Sequence, residues 1–171
     1  MSIERTEMIN SLKEIVIPEL KNEGFSGSFP HYRRILPDKI NLITFQFDRN
    51  GGGFVIEITN YNEKEFIDVK NEILPLNKLT AHHLFDRQRI QPFTFDESDT
   101  KNWFRYDNDD FFHKYDEVSK LVLNKIPTME EYWNSGKINI EEKNVTDFVQ
   151  IEDKVKVNKI SFWKKIKNKF T

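Results

Sequence analysis

Apolar positions recur every three or four residues near the start of the chain. Within IERTEMINSLKEIVIPELKNEGF, Met8, Leu12, Ile15, Val16 and Leu20 fall on one face of a helix. Ser2 stands where an N-cap belongs, Glu4 and Glu7 suit the positive end of the helix dipole, and Gly24 can close the helix in a left-handed conformation. Pro18 lies inside the pattern, lacks a backbone donor, and predicts a kink or a break. From Ser28 the period changes from that of a helix to that of a strand. SFPHYRRIL reads as one strand, PDK as a turn, and INLITFQFD as a second strand rich in β-branched and aromatic residues. FVIEITNY is a third, alternating Phe54, Ile56 and Ile58 against Val55, Glu57 and Thr59.

Further along, NEKEFIDVKNEILPLNKL reads as a loop with a helical turn, AHHLFDRQRI as a fourth strand and KNWFRYD as a short fifth. DDFFHKYDEVSKLVLNKI sets Phe112, Tyr115, Val118 and either Leu121 or Val122 on one helical face, with Asn108 or Asp109 as cap and Pro127 as stop. TMEEYW restarts a short helix, with Thr128 as N-cap and Gly136 as terminator. This order predicts an α+β fold: an antiparallel sheet of four to five strands with N-terminal and C-terminal helices packed on one face. The fold occupies residues 1–136, followed by a polar linker over 137–153 and a basic amphipathic helix over 154–171.

Between the second and third strands, RNGGG holds three of the six glycines. A phosphate loop would need G-x-x-x-x-G-K-[ST] or G-x-G-x-x-G opening a helix. Here no Lys-Ser/Thr pair follows, and the next segment is a strand, which offers no helix N-terminus to an anion. Asn-Gly between alternating strands signals a tight hairpin instead. Gly51 and Gly52 are expected at positive φ, and Gly53 in a bulge.

Composition adds to this. Of 171 residues 32% are charged, yet there are 15 Phe, 5 Tyr and 3 Trp, more aromatic content than a disordered chain carries. The absence of Cys excludes disulfides and thiolate metal sites. The first residues lack a signal-peptide pattern and no window is apolar enough to span a bilayer, so a soluble, cytoplasmic protein is expected. The net charge of −2 conceals a division. Seven lysines and no acids lie between Lys154 and Thr171, which leaves 19 basic against 28 acidic groups before them, −9 against +7. An acidic body of that size argues against nucleic acid as the partner and for a basic protein.

Candidate chemistry is sparse. Asp96, Glu97, Asp99, Asp107, Asp109, Asp110, Asp116 and Glu117 form an acidic stretch without the spacing or turn glycine of a calcium loop. It is either a solvated face or an acidic surface for a basic partner. His31, His82, His83 and His113 form no H-E-x-x-H, and FSGS is not a nucleophile motif. No catalytic residue, metal or cofactor is expected. Arg87 and Arg89 share a strand face, with Arg33 or Arg34 on a neighbouring strand. They either pair with the acidic excess or form a cluster beside Trp103 and Tyr106 for a ligand carboxylate or partner loop. In the tail, Ile160, Trp163, Ile166 and Phe170 recur at helical spacing among Lys164, Lys165, Lys167 and Lys169. That pattern suits an anionic membrane surface, a partner groove or the protein's own body.

Taken in order, EGF at Glu23–Phe25, YRR at Tyr32–Arg34, INLITFQF, FVIEI, HLFDRQRI at His83–Ile90 and NWFRYD around Trp103 resemble the bacterial domain-of-unknown-function family 4304, over Leu12 to Asp107. The acidic insert before Trp103 and the basic tail depart from that pattern. The family brings no activity to transfer residue by residue. Some members occur near polymorphic-toxin genes, so the resemblance implies an immunity role in which a toxin is bound and neutralised. The expected contact surface is Asp96, Glu97, Asp99, Trp103, Arg105, Tyr106, Asp107, Asp109 and Asp110. The alternative is a peripheral membrane or scaffold protein acting through its tail.

Overall fold

The computed structural model describes residues 2–92, 102–107 and 114–138. Asp96, Glu97, Asp99, Asp109, Asp110, Phe112, His113, most of the linker and the whole tail, including Trp163 to Phe170, lie outside the described residues.

Helix α1 spans Ile3–Asn22 and begins as the sequence predicts, with the Ser2 hydroxyl accepting from the Arg5 amide. Pro18 does not end it. The helix runs on to Asn22 because Val16, Ile17 and Leu20 are buried there, and burying such side chains at about 1.5–3 kcal/mol each outweighs one missing backbone bond. Gly24, at φ +87°, closes the helix, and the Phe25 amide reaches back to the Leu20 carbonyl.

The segment predicted as a single strand from Ser28 is two. Strand β1 (Ser26–Ser28) and β2 (His31–Ile35) fold against each other across Phe29–Pro30, a cis peptide. Strands β3 (Ile40–Phe47) and β4 (Gly53–Tyr61) form the central hairpin in the expected register, from Ile40 opposite Tyr61 to Phe47 opposite Phe54. Gly51 and Gly52 have φ of +92° and +79°. Gly53 is not a bulge: it opens β4 in ladder register with Arg105. A side chain at Gly52 would meet only the movable ends of Asp107 and Arg105, so it is the positive φ that calls for glycine here.

Residues 62–79 contain a small hairpin, β5 (Phe66–Ile67) with β6 (Ile73–Leu74), then a 3₁₀ turn at Leu76–Lys78. The expected fourth strand is shorter than its alternation suggested. Ala81–His83 is a 3₁₀ turn, and only Gln88–Ile90 is strand, β7. AHHLFDRQ has no β-branched residue, and Phe85 alone in it favours a pleated backbone. Strand β8 is Phe104–Arg105. The main sheet is antiparallel in the order β1-β2-β3-β4-β7, with β8 also paired to β4. Helix α2 covers Lys114–Leu123, and α3 covers Ile126–Ser135. Lys125 rather than Thr128 precedes α3, because Pro127 fits the first turn of a helix and starts it instead of stopping the previous one. Gly136, at φ +74°, ends α3 as expected.

The fold class is the α+β one read from the sequence. Helices α1, α2 and α3 join one face of the sheet in a single core, in which Met8, Leu12 and Leu20 meet Ile43, Phe45, Phe54, Ile56, Ile58, Val122, Met129 and Trp133. Arg34 belongs to this side. Its guanidinium lies over the Phe25 and Trp133 rings and bonds Asn41 and Glu130. The opposite face is covered too, by the small hairpin and the 3₁₀ turns, which gather Leu79 and Ala81 over Ile40 and Leu42, with Phe66, Leu74, Leu76 and Leu84 around them. The alternation in β4 therefore separates two buried faces.

Candidate functional site

On that second face, cross-strand register lines up four polar residues. His31 of β2 is opposite Thr44 of β3, Thr44 is opposite Glu57 of β4, and Glu57 is opposite Arg89 of β7. Strand alternation turns all four to one side. His31 Nδ1 lies 3.0 Å from the Thr44 hydroxyl. Thr44 is fully buried, and Glu57 is 2% exposed.

A carboxylate at that depth needs counter-charge. Arg87 Nε lies 2.9 Å from Glu57 Oε2, Arg89 Nη2 lies 3.3 Å from Oε1, and His82 Nε2 lies 3.4 Å from Oε2. The two arginines do converge, as their shared face suggested, and the carboxylate they hold is the chain's own. Arg87 also donates to the Leu84 carbonyl at 2.6 Å, which ties the loop 84–87 back on itself. Thr59 donates to the Asp86 carbonyl at 2.6 Å and fixes the same loop to β4. Arg33, on this face, donates to the carbonyls of Asn77 and Leu79, whereas Arg34 is on the other. His83 bonds the Thr80 amide and hydroxyl and so caps its own turn.

His31 meets the His82 ring edge-on at 5.6 Å. Burial, with His82 and Arg33 beside it, pushes the His31 imidazole below its ordinary value of 6.5. A histidine held neutral in the fold contributes stability that is complete above the unfolded value and is lost as pH falls through the folded one. The melting temperature is therefore expected to fall between about pH 7.5 and pH 5, and to fall less in His31→Asn. An unchanged slope in that variant would assign the acid sensitivity to another group.

The residues named as a contact surface fare unequally. Tyr106 is a core residue, packed against Phe47 and Tyr115, and is unavailable to a partner. Trp103 lies under Arg89, whose guanidinium carbon is 5.9 Å from the ring centroid. Arg105 is clamped by Asp107, whose carboxyl is held below its usual range by the hydrogen bond from Arg105. Among the described residues no group of three or more His, Asp or Glu is placed to hold a metal ion, and no helix is long and apolar enough to cross a membrane. A depression of about 410 Å³ lies between α1 and α2, but the Ser11 hydroxyl at its base is already bonded to Asp116 and Ser119.

What the sequence did not reveal is what this network holds in place. Phe85, at the tip of the clamped loop, is 99% exposed. The outer face of the neighbouring β5–β6 hairpin exposes Val69 (97%), Ile73 (65%) and Ile67 (56%), while Phe66 and Leu74 anchor it inward beside Leu84. The only sequence cue for Phe85 is the same lack of β-branched residues that denies its segment a strand.

The sequence model of a domain of unknown function (DUF4304) matches residues 16–136. The chain belongs to the DUF4304 family. The match reaches past Asp107 to take in α2 and α3; residues 137–171 lie beyond it. No curated protein and no solved structure matches the chain.

Proposed function

We propose that this DUF4304 chain is a non-enzymatic, cytoplasmic protein-binding module that inhibits a basic partner in the manner of an immunity protein. The observation that carries this reading is Phe85, almost wholly exposed on a loop that Arg87, Thr59 and Glu57 hold rigid. A large apolar side chain held out on a fixed loop is how interface anchors are presented, because little entropy is lost when it is buried by a partner. The neighbouring hairpin adds Ile67, Val69 and Ile73, and between Glu63 and Glu72 four carboxylates face two lysines. Apolar anchors among acidic residues suit a partner with a basic rim around an apolar centre. The buried charges next to them are occupied with one another and serve as the support for this surface. The immunity role implied by the family resemblance favours a toxin as that partner.

A photoreactive phenylalanine analogue placed at position 85 tests this in the native cell, with the same analogue at Glu14 on α1 as control. The expected result is one basic protein cross-linked from position 85 and not from position 14. Once purified, it should bind the wild-type chain with an affinity that weakens as salt rises, and its toxicity should be suppressed by co-expression. Equal cross-linking from both positions, or an unsuppressed partner, would overturn the proposal.

A further inference from the structure

We propose that the point where β4 exchanges β7 for β8 binds a small planar molecule bearing adjacent amide N–H and C=O groups, a carboxamide or lactam. The outer edge of β4 pairs with β7 at Ile56–Ile58 and with β8 at Gly53–Phe54. Val55, between them, is where one neighbour departs and the next arrives. Among the described residues the outer edge of β4 has no strand partner at Val55.

Two residues with buried polar atoms flank this point in the chain register. Gln91 directly follows β7 and Trp103 directly precedes β8, so one further step of each ladder carries both to Val55, and the Trp103 ring lies on the Arg89 side. Gln91 is 5% exposed and its Oε1 has no hydrogen-bond partner among the described residues. The Trp103 indole Nε1 is likewise buried and unpaired. An unsatisfied group of this kind costs about 1–3 kcal/mol, and folded proteins rarely leave such groups without a partner. Gln91 Oε1 requires a donor and Trp103 Nε1 requires an acceptor. A carboxylate would answer Trp103 but meet Gln91 Oε1 and Glu57 with repulsion, and a cation would answer Gln91 alone. A cis-amide edge supplies both. The Arg89 guanidinium over the Trp103 ring forms a flat wall, which selects a planar group. This site shares Arg89 and Glu57 with the support of the Phe85 loop, whereas Gln91 and Trp103 take no part in that support.

The chain has three tryptophans, Trp103, Trp133 and Trp163, and hence three indole N–H resonances in a ¹⁵N-labelled full-length sample. Trp103→Phe assigns one of them. Titration with uracil, nicotinamide and nicotinate is expected to move the Trp103 resonance saturably with the first two, at about millimolar affinity as befits so few atoms, while the Trp133 resonance stays in place. Gln91→Leu, its fold checked by that unmoved Trp133 resonance, is expected to weaken the response at least tenfold. A response to nicotinate alone would overturn the ligand class. No response of the Trp103 resonance to any of the three would leave only bound water at the site and overturn the proposal.

Discussion

Glu57→Gln is expected to lower the unfolding free energy by about 2–4 kcal/mol, because it removes the one carboxylate that Arg87 and Arg89 share. The loss lies below that of a fully enclosed ion pair, since both arginines keep part of their side chains in water and hydration offsets some of the uncompensated charge. Urea unfolding should show a lower midpoint with an unchanged slope. A cycle with Arg87→Gln should reveal a coupling of about 1–3 kcal/mol, since the two residues are in direct contact. A change below about 0.5 kcal/mol in the single variant, the range of ordinary surface substitutions, would mean that the network is not what holds the loop 84–87 to the sheet.

Trp133→Ala is expected to cost about 3–5 kcal/mol, comparable to the whole stability of a marginal domain. Trp133 is fully buried, its ring 4.7 Å from that of Phe25 and beneath the Arg34 guanidinium. Truncation would open a cavity between α3 and the sheet and leave Arg34 stacked on Phe25 alone. The backbone carbonyl of residue 133, which accepts from Lys39 and Asn60, is unaffected, so α3 should stay attached but loosened. Trp133→Phe should recover most of the loss. If the alanine variant unfolded no earlier than the wild type, α3 would not be part of the core described.

Elements governed by local chemistry were legible in the sequence: the Ser2 cap, the Gly24 and Gly136 terminators, and the β3–β4 hairpin with its positive-φ glycines. Each depends on residues within a few positions of one another. Misreadings arose where distant residues decide. Pro18 was tolerated because Val16, Ile17 and Leu20 found a core, and no local pattern reports that. Glu57 reads as the polar side of a half-exposed strand; it is buried because residues 66–84 fold over that face, and no spacing within β4 announces a cover supplied from so far along the chain. The convergence of Arg87 and Arg89 was foreseeable from their spacing, although Arg87 reaches Glu57 from a loop rather than a strand. Tyr106 and Trp103 are near neighbours in the same aromatic segment, yet one enters the core and the other lies on the opposite face, a division that becomes visible once Phe104 is placed opposite Phe54.

The proposed function divides the labour: Glu57 and its arginines hold the loop, and Phe85 on that loop is the proposed contact with the partner. The most direct measurement is the affinity of Phe85→Ala for the protein cross-linked from position 85, by calorimetry, beside its own melting temperature. The expected result is binding weakened at least about tenfold, as for an interface anchor, with a melting temperature within about 2 °C of wild type, as for an exposed side chain. Unchanged affinity would contradict the account.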